Sequence, residues 1–174
     1  MTDTPLVPGR SCGSCTLCCK LLRIDELDKP KGEWCEHCAV GKGCRIYDER
    51  PAACRGFFCG YRTQEALSDE WFPSKAKLMV FPALDGSRIN VVVDPARPDA
   101  WRAEPYYSGI KAWAQNGAGM AIQVAVSVGK RLFAILPDED ADLGIVSDED
   151  RVIYYEVDQG GRRVLKAKLE KGES

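Results

Sequence analysis

Cysteine disappears from this chain after residue 59, and histidine occurs only once, at His37. No apolar run approaches the roughly 20 residues that a membrane-spanning helix needs. The first nine residues are polar and contain prolines, without the apolar core of a signal peptide. Charge of one sign is also missing. The formal net charge is −2 and the pI about 5.6, which offers no basic surface to nucleic acid or to an anionic membrane. Together these absences lead us to expect a cytoplasmic protein, whose thiols are kept reduced and whose partner is another protein or a small molecule.

Other absences narrow the chemistry. A Cys–His nucleophile needs a base brought beside the thiol, and His37 sits inside a close cysteine pair, as a spare ligand or a surface residue. No glycine-rich phosphate loop occurs, since Gly117-Ala118-Gly119-Met120 does not follow a strand and open a helix. Asp138, Asp140, Asp142 and Glu149 take positions 1, 3, 5 and 12 of a calcium loop, but Leu143 stands where that loop requires glycine. The stretch after Pro137 therefore reads as a solvated acidic loop.

What is present suits a globular fold. The 174 residues, 45% hydrophobic and 29% charged, can build one ordinary domain beside a small module. All nine cysteines, Cys12, Cys15, Cys18, Cys19, Cys35, Cys38, Cys44, Cys54 and Cys59, lie in one segment. An odd count without an export signal argues against a disulfide framework. Buried thiols acting as small hydrophobes would follow an apolar stripe. Gly13, Ser14, Thr16 and Lys20 beside the first four cysteines form none. Metal ligation remains. A Cys-x-x-Cys turn lets two sulfurs converge while backbone N–H groups point at them, and Gly13 supplies an unrestricted backbone. Cys35 and Cys38 form a second such pair.

Nine thiols suit two four-thiolate sites with one left over, or one polynuclear cluster. Residues 1–62 hold 10 Lys/Arg and 8 Asp/Glu, and residues 63–174 hold 14 and 18. Two four-thiolate sites, each around a core of charge about +2, would add about −4 to the first segment. Arg45, Arg50 and Arg55 are placed in sequence to balance it.

The run Cys12-x-x-Cys15-x-x-Cys18-Cys19, followed by Cys44-x-Ile46-Tyr47-x-x-Arg50-Pro51-x-x-Cys54-Arg55-x-Phe57, resembles the bacterial CxxCxxCC cysteine-cluster proteins. These are zinc- or iron-chelating domains, some named Fe–S oxidoreductase. The resemblance covers roughly residues 10–62. It implies a chelating role for Cys12, Cys15, Cys18, Cys19, Cys38, Cys44, Cys54 and Cys59. Cys35 stands as the extra member, although its spacing from Cys38 makes it a candidate too.

Soft thiolates suit zinc and iron–sulfur clusters alike. The pairs Cys12/Cys15 and Cys35/Cys38 match a structural zinc format. The successive spacing of Cys12, Cys15 and Cys18 matches a segment wrapping a [4Fe–4S] cluster, without the x₃-Cys-Pro continuation of bacterial ferredoxins. Both metals stay open, and with them three roles: a metal-stabilised binding protein, an iron–sulfur redox enzyme or electron carrier, and a metal buffering or delivery protein. No acid–base pair or cofactor motif points to catalysis.

The rest of the chain reads as a mainly antiparallel α+β domain over residues 63–174, packed as one unit with a loop-rich cysteine module over residues 1–62. Trp71-Phe72-Pro73 marks the join. The pattern predicts strands over 75–81 and 88–93, a proline-rich loop over 94–105, and a helix from Tyr106 closed by Gly117. Hairpins follow over 120–136, turning at Gly129-Lys130, and over 151–169, turning at Gly160-Gly161.

Overall fold

Glycine and proline punctuate the cysteine segment so often that no element there exceeds five residues. The computed structural model describes residues 5–120 and 122–172. Helix α1 (Leu17–Leu21) carries Cys18 and Cys19, and a two-residue hairpin pairs β1 (Cys38–Ala39) with β2 (Gly43–Cys44). Two short helices follow, α2 (Ala52–Gly56) and α3 (Gly60–Thr63). The two ends of the segment are tied together. Arg10 Nη1 donates to Tyr61 O at 2.8 Å and Gln64 O at 2.9 Å, and its Nη2 reaches Leu67 O. Beside it Val7 N donates to Arg62 O at 2.8 Å.

Beyond α4 (Pro73–Ala76) the chain builds a five-stranded sheet in sequential order: β3 (Leu78–Pro82), β4 (Arg88–Val93), β5 (Gln123–Val128), β6 (Arg131–Ile135) and β7 (Asp140–Ile145). Successive side chains of a strand point to opposite faces. Leu78, Val80, Val91, Val93, Val124, Val126, Phe133 and Ile135 thus form one apolar face, covered by α5 (Tyr106–Gly117) through Ile110 and Ala114 and by Trp71 and Trp101. Met79 and Val92 point the other way and receive Leu17 and Leu21 of α1. The cysteine segment therefore packs on the face opposite α5. A salt bridge reinforces it, from Lys20 Nζ to Asp94 Oδ1 at 2.6 Å. A separate hairpin pairs β8 (Arg151–Gln159) with β9 (Arg162–Glu170).

The α+β class holds, with mostly antiparallel pairing and one 12-residue helix. One pair departs from the antiparallel expectation: β4 and β5 run parallel, Val91 opposite Val126. A parallel pair needs a crossover of a dozen or more residues, and the segment carrying α5 provides it. Both hairpins turn where expected. Other expectations are corrected. Residues 73–76 are a helical turn, because Pro73 at its first position pre-sets the helical φ, and the strand starts at Leu78. Gly117 lies inside α5, and Ala118–Met120 continue as a 3-10 turn, so β5 begins only at Gln123. The acidic stretch is not a free loop. Residues 140–145 form β7, and its acids are paired: Asp140 with Lys111 Nζ at 2.9 Å and Tyr107 Oη at 2.9 Å, Asp142 with Arg131 Nε at 3.1 Å. Cross-strand and helix partners neutralise the charges that made the segment read as solvated. Among the described residues, no helix is long and apolar enough to cross a membrane.

Candidate functional site

The two Cys-x-x-Cys pairs fold alike. Cys15 N donates to Cys12 O at 2.8 Å, and Cys38 N donates to Cys35 O at 3.0 Å. The first turn's two thiols line the same hollow, whereas of the second pair only Cys35 does. The first turn depends on Gly13, whose φ of +49° is costly for a residue with a Cβ. The groups are joined by Cys35 N donating to Cys19 O at 3.0 Å, and β1–β2 sets Cys38 directly opposite Cys44.

Every cysteine except Cys38 and Cys59 lines one cavity of about 130 Å³. Its remaining walls include Leu22, Ile24, Leu27, Ile46 and Phe57, with His37 and Arg50. Cys38 adjoins it through hydrogen bonds to Cys19 and Thr16. Cys59 lies on the far side, in a hollow shared with Cys12, Cys15, Cys18 and Arg62. Seven of the nine thiols thus line one hollow, with Cys38 and Cys59 adjoining it, from separated stretches of chain. Among the described residues no three His, Cys, Asp or Glu side chains are gathered about a single point in the manner of a metal site. The donor set fits a soft metal by its chemistry: thiols in excess, a largely apolar surround, and cations beside them.

Electrostatics divides the thiols. The Cys19 thiol and nearby backbone N–H groups donate to Cys18 and, against its burial, lower its pKa to about 7. The same bond, with burial, pushes Cys19 up. Burial also raises Cys15, Cys38 and Cys54, and carries Cys59 to about 11. Thr16, itself buried, accepts from Gly41 N at 3.2 Å.

Two cations serve the cluster. Lys29, only 6% exposed, donates to Lys20 O at 2.9 Å and to Leu22 O, and so caps the carbonyl end of α1. Burial lowers its pKa, and the neighbouring Cys35, Cys19 and Cys18 oppose that shift. Arg62 Nη1 lies 3.3 Å from Cys12 Sγ. Of the arginines named from sequence, Arg50 lines the cavity and stacks on Tyr47 with its guanidinium carbon 3.6 Å from the ring centroid. Arg45 and Arg55 are exposed and line neither hollow. Sequence reasoning passed over Lys29, because Asp28-Lys29-Pro30 reads as a polar loop. The available signal was a lysine set against a proline, Lys29-Pro30, between the two groups of cysteines.

No family model matches this chain, and neither a curated protein nor a solved structure does so.

Proposed function

We propose that this chain is a metal-binding protein whose N-terminal cysteine thiolates chelate zinc or an iron–sulfur cluster. One observation carries the reading: seven of the nine thiols, drawn from separated stretches, line one cavity whose other walls are mostly apolar, and Cys38 and Cys59 adjoin it. Isolated buried thiols would not need Lys29 and Arg62 beside them, since cations next to sulfur favour the thiolate form that a metal takes. The CxxCxxCC resemblance supports the same assignment. Zinc would supply a structural crosslink there, and an iron–sulfur cluster one-electron transfer. The reading places the protein in a reducing cytoplasm, where such thiols stay free to ligate.

The test is metal and sulfide analysis of protein purified without oxygen. Stoichiometric zinc in colourless protein, or iron with acid-labile sulfide in brown protein, is the expected result, and the two outcomes separate the metals. Fully folded, metal-free protein with nine titratable thiols would overturn the reading.

A further inference from the structure

A second cavity, about 660 Å³, opens between the cysteine segment, the sheet face opposite α5, and the β8–β9 hairpin. Its volume falls within the range of small-molecule sites. The floor is made by one face of β4, β5 and β6, and the character of that face changes along its length. Under α1 it is apolar, with Met79 and Val92. Under the cavity it presents Arg88, Asn90 and Ser127 among Ala125 and Leu132. Central strands covered on both faces are normally apolar throughout, so three polar side chains here mark a surface kept for a polar occupant.

The charge of that occupant follows from what is left unmatched. Arg88 Nε donates to Asn90 Oδ1 at 3.0 Å, which fixes the guanidinium and leaves both terminal nitrogens available. Tyr154 of β8 is close enough to Arg88 to feel its charge. Lys31 and Arg151 stand at the rim and form no ion pair with the described residues. Asp148, fully exposed, is close enough to Lys31 to act on it, while Asp150 and Asp85 are engaged. Asp150 accepts from Ser147 N at 2.8 Å, Lys171 Nζ at 2.9 Å and Gly172 N at 3.2 Å. Asp85 accepts from Ser87 N at 3.0 Å and Ser87 Oγ at 2.7 Å. Arg23 is taken by Asp25, with Asp148 at 3.8 Å. Apolar wall is supplied by Phe81, Leu132, Val152, Ile153 and Leu169.

The geometry points to a binding site for a small organic oxyanion, an apolar body carrying one carboxylate or phosphate head that sits on Arg88. A guanidinium offers two parallel N–H donors to such a head; Asn90 holds it in place, and Ser127 lines the floor further along the same face. Leu22 and Arg23 line both this cavity and the cysteine cavity, so the occupant lies one side-chain layer from the thiols. The site stands independently of any metal.

The test titrates octanoate, octyl phosphate, octanol and inorganic phosphate into the full chain while following backbone amide resonances of Asn90, Ala125 and Ser127. Octanoate or octyl phosphate shifts these signals saturably, and the stronger of the two identifies the head group. Octanol and inorganic phosphate bind about tenfold or more weakly than that probe. Arg88→Gln lowers its affinity by about tenfold or more. Lys31→Gln lowers it by about two- to fivefold. Octanol matching octanoate would overturn the proposal, as would absence of saturable shifts with either anion. Unchanged affinity in both the Arg88→Gln and Lys31→Gln proteins would do the same.

Discussion

Arg62 and Cys12 are fifty positions apart in sequence, yet Nη1 of the arginine donates to the sulfur at 3.3 Å. The Nε of the same guanidinium is buried without a partner. A buried donor left unmatched costs roughly 1–3 kcal/mol.

Replacing Arg62 by Met keeps an unbranched stem out to the position of Nε and removes the charge and donors. If the thiols hold metal, this variant loses affinity by about 10- to 100-fold, the usual scale for groups that hydrogen-bond to ligands. Competition with a chelator of known affinity measures it. An unchanged affinity would reduce Arg62 to packing.

Lys29 satisfies two carbonyls at the end of α1 from a nearly fully buried position. Lys29→Met strands Leu22 O, while Lys20 O keeps its bond from Gly32 N at 3.0 Å. A loss of about 1–3 kcal/mol in unfolding free energy is expected, measured by denaturant titration. The effect belongs to the cysteine segment, so amide exchange should accelerate there before it does in the sheet.

Gly60 follows Cys59 and passes so close to the sheet that a Cβ would stand 2.9 Å from Val80 O and 3.2 Å from Leu67 Cδ1. The first neighbour is backbone and cannot turn aside. Gly60→Ala is expected to cost about 1–3 kcal/mol through overpacking and to lower the thermal midpoint. It also moves Cys59 relative to Cys12, which thiol-modification rates would register.

Asp150 closes the turn before β8, and the Ser147 N–H, the Lys171 ammonium and the Gly172 N–H together lower its pKa to about 2. Its unfolded value is near 3.8. A carboxylate held lower in the folded state stabilises above the unfolded pKa, so the contribution is complete at neutral pH. It is lost as pH falls from about 4 toward 2. The carboxyl carbon shift should titrate near pH 2, and the stability gap between the native chain and Asp150→Asn should shrink over the same interval.

The strand faces were legible because the valines of β4 and β5 and the flanking turns at Gly129 and Gly160 carry strong local signals. The Cys-x-x-Cys turns were legible for the same reason. Pairing direction was not, since the parallel register of Val91 and Val126 depends on where α5 carries the chain. Nor was β7, whose aspartates read as solvated until Lys111, Tyr107 and Arg131 arrive from elsewhere in the fold. The same limit explains the cations. Sequence proximity singled out Arg45, Arg50 and Arg55, whereas Lys29 and Arg62 reach the thiols through tertiary packing.

The clasp made by Arg10 has a consequence in polymer terms. It fixes the two ends of the segment bearing every cysteine. A free chain of that length must give up loop-closure entropy growing as about (3/2)RT ln n before its ends meet. Here that restriction is imposed by one guanidinium and a few carbonyls. The sulfurs therefore face one another at an effective concentration set by the clasp, and whatever binds them meets a loop already closed.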